Sequence, residues 1–352
     1  MIQRLLRGRM FYLVGGLLIA LCYALAIQRG LLILPDERPP AATFARDSFE
    51  WWPTDITLET VRQLVTQRPG LAMALSFLMV TVMAMGAWGI GMTLWALGSG
   101  RMRSLWAVSS RSLPRWSFGE LGRILLLIVM FALLLLFVHT VVISRFGSSG
   151  LDLHQWITVS MFLLDLWAIS VILLFAVGKG ASLRSTLGFS STVLRESVAS
   201  GVRGYLIAFP WLFLVLFAVA ELARALGIQP PIEPIQELIF GEQRPSVLGL
   251  TILLACIIGP VAEELFFRGV LYPAIRQRTS PGIAQWASAA LFSFVHTNIV
   301  GFVPIALLGY VLANLYERTG SLASSLTVHI LHNTLLMSLA MALKGLVSLS
   351  GG

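Results

Sequence analysis

Long apolar stretches separated by short polar ones set the pattern of this chain. A bilayer core of about 30 Å needs roughly 20 predominantly apolar residues per crossing helix. Nine stretches read as spans on that rule: 10–28, 71–97, 124–144, 156–178, 204–226, 247–267, 283–299, 301–316 and 321–343. The seventh and eighth are short and joined by little more than Asn298 to Gly301, so they read as a tight hairpin, with a count of eight as the alternative. The expected fold is an all-α, polytopic transmembrane helix bundle of eight or nine spans. Segment 28–70 is the one long loop; it is mixed in charge and carries Trp51 and Trp52, residues that commonly anchor at a membrane edge. Segment 227–246 is rich in proline and reads as a loop with a short interfacial helix. Neither segment has a nucleotide or metal motif, and no internal repeat stands out. The chain therefore divides into an N-terminal transmembrane region, 1–246, and a C-terminal transmembrane core, 247–343.

Composition agrees with the pattern. Of 352 residues, 57% are hydrophobic and 12% charged. Mean hydropathy is +0.83. Soluble domains are about 45–50% apolar and about 25% charged, and disorder needs the opposite imbalance. The net charge of +8 does not point to nucleic acid, because the basic residues form no continuous stripe and sit in short loops between spans. With the N-terminus placed in the cytoplasm, the inside loops are 1–9, 98–123, 179–203, 268–282 and 317–320. Apart from Arg268 these are strongly basic, with Glu120, Glu196 and Glu317 as their acids. That bias is the one the positive-inside rule requires. A multi-pass protein of the plasma (inner) membrane with a cytoplasmic N-terminus is expected. Arg4, Arg7 and Arg9 ahead of an apolar run, with Ala24-Leu25-Ala26 after it, resemble a signal peptide. The run Phe11–Ile27 is longer than a usual signal core, so an uncleaved first helix is expected. Cys22 and Cys256 lie in apolar stretches and read as buried small hydrophobes.

Ionisable side chains inside spans cost several kcal/mol and mark candidate function. His139, Asp165 and Glu221 stand alone in earlier spans and read as helix-packing hydrogen bonds, Glu221 also lying near a span end. The last spans differ. Glu263 and Glu264 sit side by side in an apolar helix; Glu264 and Arg268 are spaced i, i+4 and can pair. Glu263 is rotated about 100° away, free to face a cavity. The next span ends at His296, and the last holds His329 and Asn333 on one face, with His332 turned aside as a structural residue. At about 1.5 Å per residue these groups converge near mid-membrane. A carboxylate, two imidazoles and a carboxamide are what water attack on a carbonyl requires. Glu263 and His296 can activate the water, and His329 and Asn333 can donate to the oxyanion. A divalent metal such as zinc held by His and Glu is the other chemistry these residue types allow. His-Glu-x-x-His, Gly-x-Ser-x-Gly and Gly-x-Gly-Asp do not occur, so zincin, serine and aspartyl signatures are missing.

The run Glu263-Glu264-x-x-x-Arg268, then Phe292-x-x-x-His296, then His329-x-x-x-Asn333 resembles the three motifs of the CPBP family. This is the family of type II CAAX prenyl endopeptidases and of bacteriocin-processing and self-immunity proteins. Tyr316-Glu317-Arg318-Thr319-Gly320-Ser321 is similar to that family as well, and the resemblance covers about 247–340. It implies Glu263 as catalytic base assisted by His296, His329 and Asn333 as oxyanion stabilisers, and Glu264 with Arg268 as a supporting pair. It leaves a zinc-dependent metalloprotease mechanism and a metal-free glutamate mechanism both open. The expected function is intramembrane endopeptidase action on a membrane-embedded or lipidated peptide or protein at the bilayer, with no nucleic acid involved. The alternatives are a non-catalytic immunity or scaffold protein that binds a peptide, and a proton-coupled transporter.

Overall fold

In the computed structural model the described residues are 8–28, 58–101, 113–146, 152–179, 191–228, 234–296 and 298–350. Arg4, Arg7, Trp51 and Trp52 lie outside them. All regular structure among the described residues is helical: α1 (Arg9–Gln28), α2 (Leu58–Gln67), α3 (Pro69–Gly98), α4 (Phe118–Phe146), α5 (Leu153–Val177), α6 (Ser191–Ala225), α7 (Pro234–Gly241), α8 (Pro245–Arg276), α9 (Pro281–Phe294), α10 (Phe302–Thr319) and α11 (Leu322–Ser350). The chain is a polytopic helical membrane protein. Nine of these helices fall on the nine predicted spans, α7 is the short helix expected within 227–246, and α2 forms at the end of the long loop.

Six of the helices, α3, α4, α5, α6, α8 and α11, are long and apolar enough to cross a membrane. The count is lower than nine for a physical reason. α9 has 14 residues, a rise of only about 21 Å, and it returns at once through α10 as the expected hairpin. The apolar part of α1, Met10–Leu25, is also short.

Local signals explain the helix ends. Asp152 caps α5: its carboxylate accepts from the Gln155 backbone N–H at 2.9 Å, while the Gln155 side chain accepts from the Asp152 N–H at 3.2 Å. Proline opens α3, α8 and α9, where a missing N–H costs nothing. Gly320 ends α10 with a left-handed φ of 62°, which suits glycine.

Packing puts the C-terminal helices at the centre. α9 lies along α10, and α6 packs on both α10 and α11, with α3 on its far side. α5 and α11 pack on the middle of α8, and α4 with α1 forms the other flank. At Gly309 an added Cβ would lie 3.1 Å from the Ala289 Cα, so glycine lets α9 and α10 approach backbone to backbone. The outward faces of α3 and α4 are apolar and exposed, with Met73, Phe77, Met83 and Leu136 among them. Lipid is the solvent that such a surface fits.

One end of the bundle is clamped by a polar knot. Glu242, between α7 and α8, accepts from Arg244 Nη2 at 2.6 Å and lies 3.2 Å from His154 Nδ1 on α5. Arg244 also pairs with Asp152 at 2.5 Å, and Lys344 of α11 donates to the Glu242 carbonyl. The Arg244 guanidinium holds the Glu242 carboxyl down at about 2, below its ordinary 4.5. A lowered carboxyl contributes stability that is present above its unfolded value and lost as pH falls toward the folded one. Melting of the protein in detergent is therefore expected to weaken between pH 4.5 and about 2. Glu242→Gln is expected to melt lower at neutral pH and to flatten that acid limb. An unchanged acid limb would show that the knot contributes no stability.

Candidate functional site

The site is built on α8, which is not a continuous α-helix. Two π-helical turns, Leu254–Ile258 and Phe267–Leu271, flank the α-helical segment Gly259–Phe266 that carries both glutamates. Such turns shift the backbone ladder from i+4 to i+5 and recur at functional sites. Here the first one presents the Ala255 carbonyl, which accepts from Asn333 Nδ2 of α11 at 2.8 Å. The carboxamide predicted on the last helix is thereby fixed to the helix that carries Glu263.

The two glutamates divide as expected. Glu264 is 1% exposed and Arg268 is fully buried; Arg268 Nη1 donates to Glu264 Oε1 at 2.7 Å. The guanidinium also donates to the Gly309 carbonyl at 3.1 Å and lies 4.5 Å above the Phe292 ring. Desolvated charges at this depth hold only when paired and hydrogen-bonded. The Glu263 side chain is 35% exposed, so of the two carboxylates it is the accessible one.

His329 links them. Its Nδ1 lies 2.9 Å from Glu264 Oε1, and its Nε2 lies 3.5 Å from Glu263 Oε2. An ionised carboxylate only accepts, so the Nδ1 proton points at Glu264. Nε2 then faces Glu263, and it donates outward only when the ring carries a second proton. The sequence anticipated His329 as an oxyanion donor; its anchoring by Glu264, across 65 positions of chain, is not visible in any spacing.

His296 sits just past the end of α9. Its Nδ1 donates to the Phe292 carbonyl at 2.7 Å, which leaves Nε2 as the acceptor nitrogen. Its ring packs on Phe292 at 4.8 Å, and His329 packs against the same ring at 5.6 Å. Phe292 is therefore a packing surface shared by the two imidazoles. Glu263, Glu264, Arg268 and His329 are in direct contact, His296 joins through Phe292, and Asn333 joins through Ala255.

Several residues outside the predicted set are placed too. His332 turns toward a neighbouring helix, as its spacing implies: the Tyr205 hydroxyl of α6 lies 3.2 Å from its Nδ1. Glu221 pairs with Arg224 at 2.6 Å near the end of α6. His139 stacks on Trp156 at 5.1 Å instead of hydrogen-bonding across helices. Asp165 also departs from expectation: it makes no side-chain hydrogen bond among the described residues and lies within electrostatic reach of Glu263. Among the described residues no three His, Cys, Asp or Glu side chains are gathered as a set for one metal ion. The donors do not fit a metal as arranged, and no step below runs through one.

Residues 245–335, which contain every one of these contacts on α8 to α11, match the family model for type II CAAX prenyl endopeptidase Rce1-like proteins. This segment is similar to an Rce1-like domain. Among curated proteins, the chain is 28% identical over 131 residues to YdiL of Bacillus subtilis (strain 168), a candidate membrane peptidase by its description. That match covers 34% of this chain and 54% of the relative, so the chain spans about half the length of the curated relative it matches. No solved structure matches. The Rce1-like match begins at the first turn of α8, so α1 to α7 lie outside it.

Proposed function

We propose that the protein is an intramembrane endopeptidase of CPBP type, a hydrolase that cuts a peptide bond in a membrane-associated peptide or protein. The observation that carries this reading is the division of labour between adjacent glutamates. Glu264 is neutralised in a dry network with Arg268 and His329, and Glu263 is left a third exposed beside His329 Nε2. A carboxylate held in place yet open to a cavity is what a general base needs.

In this reading water sits between Glu263 and His296. Glu263 takes one water proton as the oxygen attacks the carbonyl carbon, and His296 Nε2 accepts a hydrogen bond from the same water. His329 Nε2–H, on the protonated ring, and the remaining Asn333 N–H stabilise the oxyanion. As the C–N bond breaks, the proton held by Glu263 passes to the leaving amine. The Rce1-like match and the membrane peptidase description of the relative support this reading. A substrate with a lipidated, CAAX-like C-terminus reaching the site from the bilayer follows from the prenyl endopeptidase description. Location in the plasma membrane with the N-terminus in the cytoplasm follows from the basic loops.

The test is cleavage of a quenched-fluorescent library of hydrophobic peptides by purified protein in detergent, half of it carrying a C-terminal farnesyl-cysteine. Products that together weigh one water more than the substrate, with the farnesylated half cut faster, are the expected result. Tight binding of library peptides without any cut product would instead identify a peptide-binding immunity or scaffold protein.

A further inference from the structure

One carboxylate near the site comes from a helix outside the Rce1-like match. Asp165 lies in the middle of α5, amid Leu163, Leu164, Leu166 and Trp167, where a lone carboxylate costs several kcal/mol and so marks a candidate for function. It is half-buried and has no hydrogen bond or ion pair among the described residues. α5 packs directly on the segment Gly259–Phe266. Asp165 Oδ2 is 3.7 Å from the point a Cβ on Gly259 would occupy. Gly259 is one helical turn before Glu263, on the same face. The charges of Asp165 and Glu263 act on each other across this gap. Helix packing alone gives no account of an unpartnered carboxylate set against the helix that carries Glu263, since two such charges near each other repel unless a proton donor lies between them.

Water is such a group. We propose that Asp165 is a further acceptor for the nucleophilic water, beside His296 and supplied by the N-terminal helices. This rests on the endopeptidase reading. Water offers two protons: Glu263 accepts and removes one, and His296 Nε2 and Asp165 share the other in a three-centre hydrogen bond, so that the lone pair aims at the carbonyl carbon. The new C–O bond forms as the first proton moves to Glu263. The C–N bond breaks as that proton passes to the amine nitrogen, and Asp165 neither gains nor loses a proton overall. Asp165 thereby ties α5 to the chemistry carried by α8, α9 and α11.

The experiment measures kcat and KM for wild type, Asp165→Ala, Asp165→Asn and Glu263→Gln on the best-cut library peptide, with melting in detergent for each. Asp165→Ala is expected to lose about 100-fold in kcat with KM within about threefold. Asp165→Asn keeps an acceptor oxygen and is expected to lose only about tenfold. Wild-type kcat in Asp165→Ala, beside an inactive Glu263→Gln, overturns the role of Asp165 and leaves the endopeptidase reading standing. An active Glu263→Gln overturns that reading and this inference with it. Equal losses in both Asp165 variants that track a lowered melting point, or losses confined to KM, assign Asp165 a structural part and overturn the proposal. If Asp165→Ala fails to fold, the kcat of Asp165→Asn decides: about a tenfold loss supports the role and wild-type kcat overturns it.

Discussion

Glu263→Gln is expected to abolish hydrolysis, by roughly a thousandfold or more in kcat/KM, while the protein stays folded. Two features combine to produce this result. Glu263 is the exposed member of the pair, and its contact with His329 Nε2, at 3.5 Å, is too long for a strong hydrogen bond. Glutamine keeps the shape and the polar oxygen, so little binding or packing is lost. It cannot take a proton from water, so the loss falls on the chemical step. The comparison is Glu264→Gln, which removes a charge that Arg268 and His329 both contact. That variant is expected to lose stability as well as activity. Circular dichroism melting and turnover, measured on the same preparations, separate the two effects.

The second large effect is on folding. Arg268→Ala is expected to destabilise the protein by about 3–5 kcal/mol, the cost of leaving a buried partner charge alone. Arg268 is fully buried, holds Glu264 at 2.7 Å and the Gly309 carbonyl at 3.1 Å, and covers the Phe292 ring. Its loss strands the Glu264 carboxylate in an apolar bundle and opens a cavity beside the ring on which both imidazoles rest. Removing both charges with Glu264→Leu and Arg268→Met is expected to recover much of the stability, because a buried pair can be replaced by apolar side chains of similar volume. Activity is not expected to return, since His329 would lose its Nδ1 anchor. Detergent melting of the single and double variants checks both statements. A single variant as stable as wild type would show that the pair is not what holds the site.

Much of this was legible in the chain because a bilayer imposes long apolar runs. Predicted 71–97 is found as Pro69–Gly98, and predicted 156–178 as Leu153–Val177. The i, i+4 spacing of Glu264 and Arg268 announced their pairing, since helix geometry alone brings them together. What escaped were contacts across helices and departures from ideal helices. An apolar run does not reveal that Leu254–Ile258 is a π turn, so the Asn333 anchor on Ala255 was hidden. His329 was assigned to the oxyanion without its tie to Glu264, because 65 residues of chain separate them. Asp165 reads as a packing residue in the sequence because nothing in its own span shows that it lies against the Glu263 helix. The knot of His154, Glu242 and Arg244 was missed, although an acid two residues before an arginine in a Pro-rich segment was the available signal.

The central claim is that Glu263, and not its neighbour, is the base of a membrane endopeptidase. The most direct test is to reconstitute wild type and Glu263→Gln in lipid vesicles and follow one cleaved library peptide by mass spectrometry, with melting of both proteins measured beside it. Equal melting, with cut product from wild type alone, is the predicted result. Cut product from a folded Glu263→Gln at the wild-type rate would contradict the account.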